Sequence, residues 1–340
     1  MKKIISIIIP TLNEENRIET SLKSIRAQAI NHDEVEILVI DGGSKDKTRE
    51  IAIKYKAIII NNPKVVPEEA KIIGLLNCTG KYVIFMDADE EYVDNNQLYR
   101  RIKLFEENSN VKITIVNSLI TPKGFPDLTR YVNSFGDPFS YFIYKFDGEN
   151  IISSLDKKKY KYDKIGDYGR IYYLKNDKIS PIVDGGTSMF DFEYIKKNIN
   201  YNIHDKNFIS IKSEIILNIT GCFGIIENDR INHYTSVSFK NYLKKLKFRV
   251  ISNLNPNENI SGYAERAKIN IILNLKKYLY VLYCIFPLIV LFDSIIISFR
   301  KKCITFMLHF IFVYYVFFNI IFFSLLKLFN IKFSNINYGK

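Results

Sequence analysis

The stretch Lys81–Glu91, KYVIFMDADEE, constrains this chain more than any other. Val83 to Met86 is a short apolar run of the kind a fully buried strand makes. It stops abruptly at Asp87-Ala88-Asp89. Carboxylates on alternate residues, at the carboxyl end of a buried strand, sit where open α/β sheets bind ligands. With a phosphate-bearing ligand, such a pair supplies the oxygen donors that a hard divalent cation takes. The same residues could instead only close a strand and cap the next helix, because Asp is common in turns.

The preceding residues place that strand in a series. Ile4 to Ile9 is an apolar run stopped by Pro10, too short for the hydrophobic region of a signal peptide, and reads as the first strand. Ile18, Leu22, Ile25 and Ala29 follow at helical spacing, with Asn13 as a candidate N-cap. Glu36 to Ile40 is a second strand and ends in Asp41-Gly42-Gly43-Ser44-Lys45-Asp46-Lys47-Thr48. The glycines permit a tight turn, and Ser44 or Asp46 can cap the next helix. Ala57 to Ile60 is a third strand, and Pro67 to about Asn77 a helix. Strands alternating with helices at this pace imply βαβ units and a mostly parallel sheet. With right-handed crossovers, the ends of the first, second and fourth strands meet along one edge. Thr11, Glu14, Asp41, Asp87 and Asp89 would then share one cleft.

Beyond Glu91 the pattern loosens. Leu98, Ile102 and Phe105 predict a helix, and Val111 to Asn117 a strand. Thr121 to Asp167 is long and aromatic, with Phe135, Phe139, Tyr141, Phe142, Tyr144 and Phe146 close together. It reads either as a satellite core or as a flap resting on a membrane surface, where aromatic rings are at home. Ile215 to Thr220 and Gly224 to Ile226 predict further strands. Phe239, Tyr242, Leu243, Leu246 and Val250 alternate with Lys240, Lys244, Lys245, Lys247 and Arg249, a basic amphipathic helix suited to an anionic bilayer. Lys244, Lys245 and Arg249 are candidates to meet a lipid or acceptor phosphate. Tyr278 to Phe299 carries one charge, Asp293, and Cys303 to Leu326 none. At about 20 residues or more, each is long enough to span a bilayer. The expected arrangement is a hairpin of two spans joined by Arg300-Lys301-Lys302, making a multi-pass cell-membrane protein with its catalytic part in the cytoplasm; the alternative is a pair that dips into the membrane without fully crossing.

The net charge of +12 suggests anionic partners such as phosphorylated substrates or acidic lipids. No RNA-binding signature or zinc-finger spacing accompanies it, so nucleic acid is not an expected partner. The four cysteines form no CxxC pair, which argues against a disulfide framework or a zinc site.

Ile-Ile-Ile-Pro10-Thr11-Leu-Asn13-Glu14, then Val-Ile-Asp41-Gly-Gly-Ser44-Lys-Asp46-Lys-Thr48, then Ala70-Lys71-Ile-Ile-Gly74, then Phe-Met-Asp87-Ala-Asp89 together resemble a family 2 glycosyltransferase. The resemblance covers about the first hundred residues, in order and with the family's spacing. Gly42 stands where the family usually has a second acidic residue. The resemblance implies an α/β GT-A fold, Rossmann-like with a mostly parallel sheet, followed here by C-terminal transmembrane helices. It implies inverting transfer from a nucleotide-sugar donor with Mg²⁺ or Mn²⁺. Pro10, Thr11, Glu14, Asp41, Lys71 and Asp87 would bind the donor. Asp87 and Asp89 would form the DxD metal site, completed by His233. Asp205 of His204-Asp205 stands where the family places its catalytic base. The domains expected are a GT-A domain over 1–237, a basic juxtamembrane region over 238–277, two spans over 278–326 and a cytoplasmic tail over 327–340. The hairpin and basic helix point to the membrane and a lipid-linked or polyprenyl-phosphate acceptor. The alternative is a non-catalytic nucleotide-sugar-binding or scaffold protein of the same fold.

Overall fold

A computed structural model describes residues 3–174, 179–181, 188–200, 202, 206–235, 238–255 and 262–331. The chain forms two units. One comprises residues up to Pro122 and Gly148–Tyr234; the other comprises Lys123–Asp147 and the residues from Thr235 on. The segment Lys123–Asp147, which the sequence assigns to the catalytic domain, thus groups with the C-terminal helices.

The strands are β1 (Ile5–Thr11), β2 (Val35–Asp41), β3 (Ile58–Asn61), β4 (Tyr82–Phe85), β5 (Glu90–Tyr92) and β6 (Ile113–Ile115). They continue with β7 (Ser118–Ile120), β8 (Lys161–Ile165), β9 (Gly169–Tyr173), β10 (Met189–Asp191), β11 (Cys222–Ile226) and β12 (Arg230–His233). Among the described residues, nine strands form one sheet in the order β3-β2-β1-β4-β10-β6-β11-β9-β8. The first four run parallel, as βαβ crossovers require. β10 enters antiparallel between β4 and β6, and the far half is mixed. A small sheet, β5-β12-β7, lies apart from it in pairing.

The central parallel strands are mostly apolar because helices cover them. Ile5, Ile7, Ile9, Ile37, Val39 and Ile84 are all essentially inaccessible to solvent. Against them pack α1 (Ile18–Arg26), α2 (Thr48–Lys54) and α3 (Pro67–Asn77); α4 (Gln97–Glu107) follows β5. Gly74 of α3 is required by this packing. A Cβ there would lie 2.4 Å from Cγ2 of Ile8, so only glycine lets the helix sit on β1.

After β7 the chain makes α5 (Asp127–Phe135) and α6 (Pro138–Tyr144) in the second unit. It returns to the first through α7 (Ile151–Lys157), α8 (Phe192–Asn198) and α9 (Lys206–Thr220). α9 corrects the strand expected over Ile215–Thr220. Its β-branched run resembles a strand, but Phe208, Ile209, Ile216 and Leu217 are buried at helical spacing while Ile219 is half exposed. Gly221, at φ +67°, ends the helix before β11.

The second unit continues with α10 (Phe239–Leu254), α11 (Gly262–Ile269), α12 (Ile271–Ile285), α13 (Pro287–Lys301) and α14 (Leu308–Leu328). Its core joins Tyr131 and Phe135 of α5 to Tyr242, Tyr280, Phe306 and Phe312. The aromatic stretch is therefore a helical core element and not an irregular flap. Among the described residues, one helix, Ile304–Leu328, is long and apolar enough to cross a membrane. The first predicted span, Tyr278–Phe299, is not a single helix: α12 and α13 meet at 99°. Pro287 lacks the N–H a continuing helix needs, and it forces Phe286 to an extended ψ of 88°. A hairpin of two straight spans is therefore not formed among the described residues, and a multi-pass topology is not supported.

Candidate active site

The site lies at the carboxyl ends of β1, β2 and β4. Register sets Thr11 beside Asp41, and Pro10 beside Ile40 one step earlier. On the other side, Met86 N–H donates to the Ile8 carbonyl at 3.0 Å, which brings Asp87 to the same edge.

Asp41 is wholly buried. Its carboxylate accepts from the Thr11 hydroxyl at 3.3 Å, Gly43 N–H at 3.2 Å and Ser44 N–H at 3.1 Å. The Ser44 hydroxyl donates as well, and Arg49 Nη1 pairs with it at 3.2 Å. Gly43 adopts φ +91°, a conformation that favours glycine. The carboxylate thus shapes the whole turn. Arg49 also donates to Asn61 Oδ1 at 3.0 Å, linking the ends of β2 and β3. Sequence reasoning passed over Arg49. Its signal was a cation in the first turn of α2, where the helix dipole disfavours it unless an anion answers.

Two loops are clasped together here. Asn13 is not the N-cap the sequence suggested: it sits at φ 55° and the helix starts later, at Ile18. Its N–H donates to Ser44 Oγ at 2.8 Å, and its Oδ1 accepts from Lys45 N–H at 2.9 Å. Glu14 N–H donates to Thr48 Oγ1 at 2.8 Å and Glu15 N–H to Asp46 Oδ2 at 3.0 Å. Lys47 N–H returns a bond to Glu15 Oε2 at 3.0 Å. Asp46 also accepts from Thr48 N–H at 3.0 Å, the helix-start role expected of it.

Beside the clasp stand the acids of the DxD stretch. Asp87 is exposed, Asp89 half buried and Glu90 buried. Arg17 Nη1 lies 3.8 Å from Glu14 and 3.9 Å from Asp89. His233 Nε2 lies 3.7 Å from Asp89 Oδ1. The small sheet carries His233 there, pairing it with Glu90 across β12 and β5. The Asp87 N–H donates to Glu90 Oε2 at 2.8 Å, which fixes the strand-to-turn corner. Burial pushes the Glu14 carboxyl up, against the pull of Arg17, and Asp89, Asp46 and Asp87 add to the rise. Burial likewise raises Asp89, opposed by His233 and Arg17 and reinforced by Asp87. Arg17 and Glu90 were missed in the sequence, where one looks like a surface cation and the other like a helix-start acid.

Lys71 Nζ lies 5.6 Å from the centre of the Phe85 ring, and the buried Lys212 of α9 approaches the same ring at 5.1 Å. Asp205 lies outside the described residues. Lys244, Lys245 and Arg249 belong to the second unit, where Arg249 Nη1 is engaged by Asp137 Oδ2 at 2.8 Å and the Gly136 carbonyl at 2.9 Å.

Among the described residues, no three His, Cys, Asp or Glu side chains come together as a metal-binding group. Asp89 and His233 are the pair placed to share an ion, within an acidic environment that a cation would relieve. That donor set suits a cation completed by substrate oxygens, as Mg²⁺ commonly is.

A parallel half-sheet whose carboxyl edge holds a glycine turn and a carboxylate cluster marks an α/β enzyme that takes its ligand outside the strand ends. The chain belongs to glycosyl transferase family 2, whose model matches residues 6–199. It is 32% identical over 120 residues to the minor teichoic acid biosynthesis protein GgaA of Bacillus subtilis, a match over 33% of this chain and 27% of that protein. It is 28% identical over 129 residues to the poly(ribitol-phosphate) beta-N-acetylglucosaminyltransferase TarS of Staphylococcus aureus, over 36% of this chain and 22% of TarS. The chain therefore matches less than a third of the length of these curated relatives. Among solved structures, TarS 1–349 in complex with UDP aligns at TM-score 0.45 and 16% identity, over 74% of this chain and 66% of that one. The mannosyltransferase PcManGT from Pyrobaculum calidifontis, in complex with GDP-Man and Mn²⁺, aligns at 0.48 and 14%, over 98% and 89%.

Proposed function

We propose that this chain is an inverting glycosyltransferase that moves a sugar from a nucleotide-sugar donor to a lipid-linked or polyprenyl-phosphate acceptor in cell-surface glycan assembly. The observation that carries the reading is the convergence of Asp41, Glu14, Asp89 and His233 at one sheet edge, in a chain of this family. The clasped loops and Asp41 bind and orient the nucleoside. Lys71 lies on α3, at the edge of the acidic cluster, and offers positive charge to the diphosphate. Asp89 and His233 would hold Mg²⁺ or Mn²⁺, with Asp87 at its rim. When bound, such an ion acts as a Lewis acid toward the departing diphosphate. Arg17 supplies a second positive charge at the same place.

The reacting sugar carbon gains oxocarbenium character, and an acceptor hydroxyl needs a base to take its proton. Asp205 holds that role by family position. An acceptor that is already an anionic phosphate needs no base. GgaA is named for minor teichoic acid biosynthesis and TarS as a poly(ribitol-phosphate) beta-N-acetylglucosaminyltransferase, which favours a polymer or lipid-linked acceptor here as well.

The test is donor turnover in detergent. A panel of nucleotide sugars is offered with Mg²⁺ or Mn²⁺, with and without lipid extract, and released nucleoside diphosphate is measured. Release from one donor, stimulated by lipid and lost in Asp89→Asn or with chelator, is expected. Donor binding without release from any of them would favour the non-catalytic alternative.

A further inference from the structure

Among the described residues, α14 belongs to the one straight helix long and apolar enough to cross a bilayer, and its neighbour bears on whether it does. α10 runs beside α14, in the same direction, along its own full length. Near the start of α10, Phe239 and Tyr242 meet Phe312 with ring centroids 5.7 and 4.8 Å apart. Midway, Lys247 Nζ lies 5.4 Å from the centre of the Phe323 ring. At the end, Lys327 Nζ donates to the Leu254 carbonyl at 2.6 Å. From Phe312 to Lys327 is about 22 Å of helix at 1.5 Å per residue. The hydrocarbon core is about 30 Å thick. Were α14 to cross it, most of Lys240, Lys244, Lys245, Lys247 and Arg249 would be drawn into hydrocarbon, where charged side chains are costly.

The α12–α13 pair turns through 99° between its arms, a geometry that suits a segment dipping into a bilayer and returning. It presents apolar faces to the outside. On α12 these are Ile271, Leu275, Tyr278 and Leu282, spaced one helical turn apart and each at least half exposed. On α13 Leu288, Phe292 and Phe299 repeat the pattern, at 64% exposure or more. α14 adds Phe318, Phe322 and Phe329 on one side. Lys277 and Arg300 flank the elbow's two arms, and Lys240 and Lys244 are exposed on α10.

We infer that the C-terminal unit is monotopic: it seats in one leaflet of an anionic bilayer, its apolar faces among acyl chains and its lysines at the headgroup phosphates, with no described segment on the far side. Exposed apolar faces edged by cations match anionic lipid. A second copy of the chain would bring like charges together. The inference deepens the membrane part of the proposed function and stands apart from its donor chemistry.

Single cysteines test it. In a background with Cys78, Cys222, Cys284 and Cys303 replaced by serine, Lys302→Cys and Lys23→Cys variants of the full chain are treated with a membrane-impermeant maleimide, in intact cells and in inverted vesicles. Both positions are expected to label in inverted vesicles only. Labelling of position 302 from the face opposite to position 23 would overturn the inference. A flotation assay keeps the native cysteines. Phe292→Glu is expected to lower binding to phosphatidylglycerol vesicles at least tenfold with the circular dichroism unchanged, and unchanged binding would count equally against it. Neither readout uses turnover, so an inactive protein leaves the inference standing or falling on its own.

Discussion

Arg17 and Asp89 show how the side chains of the site balance one another's charge. The guanidinium stands between Glu14 and Asp89, close to where a divalent ion would neutralise the same charge. Removing it should therefore make the site hungrier for cations. The pairs are partly exposed, so the effect is modest, about 0.5–1 kcal/mol, or roughly a few-fold in affinity. Arg17→Gln is expected to bind Mn²⁺ more tightly than wild type without nucleotide, as measured by electron paramagnetic resonance of the free ion. An unchanged or weaker affinity would show that the arginine does not share the carboxylates with the ion. At this scale the sequence was legible where a side chain matched a motif, as with Asp41, Asp87 and Asp89. Arg17 and Arg49 belong to no motif, and their value lies in partners no local pattern shows: Asp89, far along the chain, for Arg17, and the ends of β2 and β3, Asp41 and Asn61, for Arg49.

At the scale of elements, α4 explains how a histidine far along the chain reaches the DxD corner. Arg101 Nε pairs with Asp229 Oδ2 at 2.7 Å, both side chains fully buried, and Gln97 Nε2 donates to the other oxygen at 2.6 Å. The Asp229 carbonyl accepts from Asn117 and Ser118, both at 3.1 Å. This anchors the turn between β11 and β12, and so the strand that carries His233. Arg101→Met leaves a buried carboxylate without its partner and is expected to cost about 3–5 kcal/mol. Thermal melts in detergent would show it, and a loss below about 1 kcal/mol would mean that the anchor relaxes readily. At the start of α4, Asp94 accepts from Asn96 N–H at 2.7 Å and pairs with Arg100 at 2.7 Å. The Asn96 amide, with Arg100, holds its carboxyl below the usual range. Because the folded value lies below the unfolded one, this stability is present at neutral pH and lost as pH falls through the folded value. Asp94→Ala should cost about 1 kcal/mol at pH 7 and progressively less below about pH 4. Melts at both pH values check the sign. The elements themselves were readable through the first hundred residues, where apolar runs of strand length alternate with helical stripes. They were less readable later: Ile215–Thr220 is β-branched yet helical, and Pro287 breaks an apolar stretch whose length alone suggested a span.

At the scale of the whole molecule, the inferred membrane seating has charge and apolar surface act on the same partner. The net charge of +12 and the lysines of α10 give an attraction that salt screens, whereas the apolar faces of α12 and α13 do not depend on salt. Raising NaCl from about 0.05 M to 0.5 M is expected to weaken binding to anionic vesicles several-fold without abolishing it. Complete release by salt would leave only electrostatic adhesion. The division into two units was not legible, because Lys123–Asp147 interrupts the first unit in sequence and joins helices that lie beyond Thr235. Nothing local in that stretch says which core its aromatic rings will enter.

The clasp between the first two loops has a consequence for how a ligand is received. Asn13, Glu14 and Glu15 exchange hydrogen bonds with Ser44–Thr48 in both directions. Neither loop can open without breaking the other's bonds, so the two open together, as one cooperative unit. Under the proposed function, an arriving nucleotide would meet a rim already ordered by folding, with little conformational entropy left for binding to remove.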